Sequence, residues 1–192
     1  MSKKLLRTKI LNQLKTMDSS QYQRLSQKIA NQVIESDEFR ESSTIGLTIS
    51  KFPEVDTRPI IEAAWKNGKR VCVPKCNNDT RAMDFRTISS YDNLETVYMG
   101  LLEPIITETE SVGKGNIDLQ IVPGVVFSPE GYRIGFGGGY YDRYLPGFKG
   151  KILALAFEFQ TGHKNVPKEM HDIPLGLIIT ENGFIRCKAG GK

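Results

Sequence analysis

Four short apolar runs constrain this chain most: residues 71–73, 119–122, 152–157 and 177–180, none carrying a charged side chain. Runs of this length, bounded by turn residues, suit strands buried on both faces of a sheet. Pro123-Gly124 closes the second run, and Pro74 is expected to stop the first. Helix-period segments separate the early strands. Leu5, Leu6, Ile10, Leu11 and Leu14 predict an amphipathic helix over residues 2–17. Ser20 with Gln23 reads as a capping box opening a second helix, which carries Leu25, Ile29, Val33 and Ile34 on one face. Residues 44–49 read as a strand. Thr57-Arg58-Pro59 starts a third helix, which ends at Asn67-Gly68. Alternating strands and helices, followed by strands without matched helices, predict a three-layer α/β/α domain on a mixed, partly parallel sheet. Residues 83–87 read as a further strand, and 105–117 as a mobile surface loop. Asn182-Gly183 predicts a terminal hairpin between residues 177–180 and 184–186, with a frayed tail at 188–192. No internal repeat or boundary divides residues 1–192, so one domain is expected.

Charge and cysteines narrow the setting. A formal net charge of +4 favours anionic ligands by steering, but no Lys/Arg run anchors a nucleic acid. Three cysteines, with no second pair beside Cys72 and Cys76, make neither a disulfide framework nor a zinc site. The chain reads as one kept reduced in the cytoplasm. No apolar stretch is long enough to span a membrane, and residues 1–16 lack signal-peptide features.

The chemistry concentrates at Gly135-Phe136-Gly137-Gly138-Gly139-Tyr140-Tyr141-Asp142-Arg143. Four glycines in five positions let consecutive backbone N–H groups converge on a phosphate, and a following helix adds its positive end. Arg133 and Arg143 flank the run and would grip phosphate oxygens, and Asp142 stands where Mg²⁺ beside phosphates would be held. The run is neither a dinucleotide fingerprint nor a P-loop: Tyr140 occupies the third glycine position, and no Gly-Lys-Ser/Thr is present. A tight loop between packed elements uses the same glycines without any ligand. Glu54 follows a strand, at the end where ligands collect in open α/β sheets. His163 and His171 have no Ser or Cys pattern around them that marks a nucleophile.

The run Val122-Pro123-Gly124, Phe127, then residues 135–144 resembles the signature of the 5-formyltetrahydrofolate cyclo-ligase family. Matching pieces lie in order along the chain: Lys3-Lys4-Leu5-Leu6-Arg7, Glu54-Val55-Asp56-Thr57, Val73-Pro74-Lys75, Met83-Asp84, Val166-Pro167 and His171-Asp172. The resemblance implies a Rossmann-like fold akin to the NagB/RpiA/CoA-transferase-like group. It implies that Lys3, Lys4, Arg7, Arg133, Ile134, Gly135, Phe136, Gly137, Gly138, Gly139, Tyr140 and Tyr141 bind ATP. Ile49, Glu54, Met83, Gly138, Tyr140 and Tyr141 would bind the folate, with Glu54 taking the pterin N–H groups. Asp142 and Asp172 would hold Mg²⁺, and Arg133, Tyr140 and Asp142 would be catalytic. Phe136 and Gly138 depart from the basic residues of some members, so one phosphate contact would fall to Arg143 or Lys75.

The implied reaction is an ATP-driven dehydration. The formyl oxygen on N5 attacks the γ-phosphate, ADP leaves, N10 attacks the activated carbon, and phosphate departs as the ring closes. The implied partners are therefore small molecules, a folate with one or several glutamates and ATP, taken up by a monomer without nucleic acid or membrane. Two other readings use the same residues. One is a sugar-phosphate isomerase that needs no ATP. The other is a nucleotide- or nucleic-acid-binding module, for which no binding motif is recognisable.

Overall fold

The computed structural model describes residues 2–169 and 172–188, so His171 and positions 189–192 of the tail lie outside the described residues. Helix α1 (Lys3–Lys15) is capped by Ser2, whose hydroxyl accepts from the Leu5 N–H. Helix α2 (Ser19–Glu35) begins one residue before Ser20. Its cap is Asp18, whose carboxylate accepts from the Gln21 N–H at 2.9 Å. A carboxylate already at that position makes the predicted Ser20–Gln23 box redundant. A single turn, α3 (Asp37–Arg40), leads into β1 (Thr44–Gly46), and α4 (Arg58–Lys66) follows with Pro59 in its first turn.

Strand β2 (Arg70–Cys76) runs through Pro74 instead of stopping there. Pro74 lies beyond the last residue paired with β1, where the strand has a neighbour on one side only and a proline is tolerated. Strand β3 (Met83–Ile88) pairs antiparallel to β2, and a hairpin of β4 (Leu94–Thr96) and β5 (Leu102–Pro104) packs against β2, tied to it by Lys75. Residues 105–117 are not a free loop. They contain β6 (Glu110–Ser111), bury Thr109 and Val112, and are tied to β3 by Arg86, which donates to Thr109 Oγ1 at 2.9 Å. Then come β7 (Leu119–Ile121), the short pair β8 (Val126–Phe127) and β9 (Arg133–Ile134), and the one-turn helix α5 (Tyr140–Tyr144). Strand β10 (Lys151–Leu155) and the hairpin of β11 (Leu177–Thr180) and β12 (Gly183–Arg186) complete the chain.

The main sheet has the order β12-β11-β10-β7-β1-β2-β3-β6. Its five central strands, β11 to β2, are parallel, and both edges are antiparallel, which is the mixed sheet expected. Period-two alternation splits the side chains between two faces. Ile45, Val71, Leu119, Ile121, Leu153 and Ile179 pack under α1, α2 and α4. Val122, Ala154 and Ile178 pack under a thinner layer made by Leu145, Tyr141, Tyr144 and Phe148, around α5. The chain leaves β1 toward β2 in one direction and leaves β7 toward β10 in the other. The strand order therefore reverses between β1 and β7, the place where ligand crevices form in open α/β sheets. Among the described residues no helix is long and apolar enough to cross a membrane.

Candidate active site

A narrow crevice opens at that reversal. Thr48, Glu54 and Thr57 line it after β1, Pro123 and Gly124 after β7, and Gln160 after β10. Leu14 of α1 and Phe136 of the glycine run bound it as well. The segment holding Glu54 is fixed from several sides. Tyr22 Oη donates to the Glu54 carbonyl at 2.8 Å, Thr57 Oγ1 donates to the Thr48 carbonyl, and the Glu54 N–H donates to the Lys51 carbonyl. Burial pushes the Glu54 carboxyl up to about 7, although a hydrogen bond it accepts from the Lys51 backbone opposes the shift.

The glycine run leaves β9 and turns into α5. Gly137 and Gly139 have φ of 106° and 68°, the left-handed region that glycine enters without steric cost. Gly138 is tight for another reason: a Cβ there would come within 2.7 Å of the Tyr140 ring. Arg7 crosses from α1 to donate through Nε to the Gly135 carbonyl at 2.7 Å, while its guanidinium lies beside Gly137. The positive charge of α1 is thus held against the loop.

Beneath the loop, acids and bases are interleaved. Arg133, with only 5% of its side chain exposed, donates through Nη2 to Asp142 Oδ1 at 2.9 Å. Burial pulls the Arg133 guanidinium below its ordinary value, opposed first by the Asp142 charge and more weakly by that of Asp172. Lys3 Nζ in turn reaches Asp172 Oδ2 at 3.2 Å and Glu169 Oε1 at 2.9 Å. Lys3 and Arg133 thereby neutralise the two carboxylates that the sequence offers to a metal. The donor set still fits Mg²⁺: Asp142 keeps more than a third of its side chain exposed beside the glycine run, and both carboxylates are hard oxygen donors.

Three tyrosines follow the glycines; Tyr140 stands apart, while the rings of Tyr141 and Tyr144 meet edge-on, 6.5 Å between centroids. Tyr140 Oη donates to Asn78 Oδ1 at 2.8 Å and accepts from Arg81, whose guanidinium also lies 5.5 Å from the ring centroid. The Tyr141 hydroxyl is buried with no hydrogen-bond partner among the described residues. Burial first, then the neighbouring Cys76 and Glu54, hold it protonated well above its ordinary value. An orphaned buried donor costs stability, so a bound group that accepted from it would be favoured there. The Tyr144 hydroxyl is also unpartnered, and its ring packs 4.8 Å from Phe85 between centroids. Met83 packs against the same cluster as Tyr141 and Tyr144.

Residues from five separate stretches, namely Lys3 and Arg7, Glu54, Met83, 133–142 and Asp172, are therefore linked at one end of the sheet. Two others stand apart. Lys4 is exposed on α1, and Ile49, almost wholly buried, lines a second cavity beyond the Glu54 segment. Ile134 is buried in β9 as core. Lys75 is engaged by Glu95 at 2.7 Å and Glu103 at 3.4 Å, and Arg143 turns back to the Gly139 carbonyl. Sequence reasoning missed Tyr22, Asn78 and Arg81, which brace Glu54 and Tyr140. Tyr22 sits in an ordinary helical pattern, and Asn78 and Arg81 sit in a polar turn, so no local signal marked any of them.

A sequence model described as the 5-formyltetrahydrofolate cyclo-ligase family matches residues 1–181. A mouse 5-formyltetrahydrofolate cyclo-ligase is 27% identical, over 94% of this chain and 94% of its own. The Escherichia coli K12 enzyme of the same name is 28% identical, over 86% of this chain and 93% of its own. The NMR structure of Aquifex aeolicus 5,10-methenyltetrahydrofolate synthetase superposes with a TM-score of 0.86 at 32% identity, covering 100% of this chain and 96% of that one.

Proposed function

The chain belongs to the 5-formyltetrahydrofolate cyclo-ligase family, and on that premise we propose how its residues close the ring. Its reaction is the cyclisation of 5-formyltetrahydrofolate to 5,10-methenyltetrahydrofolate, with ATP as co-substrate. The observation that carries the residue assignment is the linkage of those five stretches around the β1/β7 reversal.

The backbone N–H groups of residues 135–139 and the guanidinium of Arg7 receive the ATP phosphates. Arg133, already aimed at Asp142 from below, stabilises the charge that gathers on the transferring phosphoryl group. Asp142, with Asp172 behind it, would hold Mg²⁺, which supplies charge neutralisation across the phosphate oxygens when bound. The Glu54 carboxylate accepts the pterin N–H pair, and binding such donors favours its ionised form. Tyr141 donates its orphaned hydroxyl to the folate, and Tyr140, held by Asn78 and Arg81, walls the formyl group.

With the formyl oxygen in line, it displaces ADP from the γ-phosphorus. N10 then adds to the activated carbon, loses its proton and expels phosphate. Rate comes from positioning and fixed charge. We further propose that the protein works as a cytoplasmic monomer on folates bearing one or several glutamates. The test is an assay of purified protein with 5-formyltetrahydrofolate, following the near-ultraviolet band of the methenyl product. Product that requires both ATP and Mg²⁺ is the expected result. Product without ATP, or none from folded protein, overturns the proposal.

A further inference from the structure

The turn between β2 and β3, residues 77–82, holds a cation against the residue that follows the glycine run. The turn is tightly tied. The Asn77 N–H donates to the Ala82 carbonyl and the Arg81 N–H to the Asn77 carbonyl, each at 2.9 Å. Asn77 Oδ1 accepts from the N–H groups of Asp79 and Thr80. Arg81 has a φ of 60° there, the left-handed region that is costly for a residue with a Cβ and that recurs at ligand clamps. Its side chain is exposed and rests on a neutral group. Nη1 donates to Tyr140 Oη at 3.3 Å, long for a hydrogen bond, and the guanidinium carbon lies 5.5 Å from the ring centroid. Among the described residues no carboxylate pairs with it. The other cations around the loop are engaged. Arg133 is held by Asp142, Lys3 by Asp172 and Glu169, Lys75 by Glu95 and Glu103, Arg7 by the Gly135 carbonyl and Arg143 by that of Gly139.

We propose that Arg81 is a catalytic residue: it leaves Tyr140 for the γ-phosphate of ATP and stabilises the phosphoryl group during transfer. This role rests on residues 135–140 being the ATP and formyl site. The Tyr140 ring packs on Gly138, where a Cβ would lie 2.7 Å from it, so the guanidinium stands one ring away from the phosphate-receiving loop. Tyr140 walls the formyl group, whose oxygen attacks the γ-phosphorus, so the reacting atoms meet beside that ring. A guanidinium parked on a weak neutral acceptor gives up little on turning to a phosphate, which it grips through paired N–H groups. Asn78 Oδ1 accepts from the Tyr140 hydroxyl at 2.8 Å and keeps the ring in place when Arg81 turns away. The fixed turn at 77–82 aims the side chain, and the side chain supplies the charge, as arginines do at other transferring phosphoryl groups.

The test compares wild type with Arg81→Gln and Arg81→Gly. Calorimetry without folate measures the binding of ADP and of β,γ-imido-ATP, a triphosphate that does not transfer its terminal group. Both substitutions are expected to weaken the triphosphate about 5- to 10-fold and to leave ADP within about twofold, because only the terminal phosphate is reached. In the cyclisation assay kcat should fall about 10- to 100-fold, with KM for 5-formyltetrahydrofolate within about twofold. Arg81→Gly also relieves the left-handed backbone, so its Tm should equal or exceed that of wild type while the preference for the triphosphate is lost. A purely structural arginine would not separate the two nucleotides. Equal losses for both nucleotides, no loss for the triphosphate, or an unchanged kcat overturns the role of Arg81 and leaves the ATP site standing. If wild type binds neither nucleotide, the ATP reading of the glycine run fails, and the role of Arg81 falls with it.

Discussion

Asp142→Asn separates the two tasks of one carboxylate, because Asp142 is both the offered metal ligand and the counter-ion of Arg133. The pair is 2.9 Å long, with Arg133 5% and Asp142 37% exposed at the side chain. Removing one partner of a fully buried pair costs about 3–5 kcal/mol; the exposure of Asp142 and the hydrogen bond an amide can still accept reduce this to about 2 kcal/mol. For a chain of this length about 2 kcal/mol lowers Tm by about 4–8 °C. The amide also frees the Arg133 guanidinium for phosphate. ATP binding measured by calorimetry in EDTA should therefore tighten about fivefold, or about 1 kcal/mol. Turnover with Mg-ATP should fall at the same time. An unchanged Tm, or weaker metal-free ATP binding than wild type, would refute the idea that Asp142 restrains Arg133 in the unliganded protein.

Glu54 ties folate affinity to pH. Its carboxyl titrates at about 7 in the unliganded protein. The pterin-accepting form is therefore lost as pH falls through 7, and the Kd for folate should rise about tenfold per unit below it. Glu54→Gln should flatten that profile while leaving ATP affinity intact. The same group works against the fold. Because its folded pKa is raised, the folded chain binds the extra proton between about 4.5 and 7. Stability from Glu54 falls across that window as pH rises, and denaturation midpoints of Glu54→Gln should not show the decline. Gly131→Ala should lower stability by about 3 kcal/mol or more by denaturant titration, since φ is 93° and a Cβ would lie 2.3 Å from the Leu175 carbonyl oxygen. Gly138→Ala should spare the fold and raise KM for ATP and folate together, because the new methyl displaces the Tyr140 ring.

Much of the sheet was legible in the chain. Residues 119–122, 152–157 and 177–180 are apolar because β7, β10 and β11 are covered on both faces, and burial on two faces erases polar alternation. The helix over residues 2–17 and the 182–183 turn were legible for the same reason: each is set by local periodicity or turn chemistry. The β4–β5 and β8–β9 hairpins were not foreseen. Their strands are two or three residues long, too short for any period to emerge. Pro74 misled because a proline's cost depends on whether a neighbour occupies that side of the strand, which is a tertiary fact.

The site divides along the same line. The sequence by itself determined the glycine run, the acid that follows it and the family pattern, since backbone freedom and residue type are local properties. Only the tertiary structure decided that Arg133 sits against Asp142 and Lys3 against Asp172, across 9 and 169 positions of chain. It also decided that Glu54 is buried enough to titrate near neutrality, and that Ile49 and Arg58 face a different cavity. Charge pairing and desolvation depend on distances through space, and those are set when β1 and β7 meet at the reversal of the sheet.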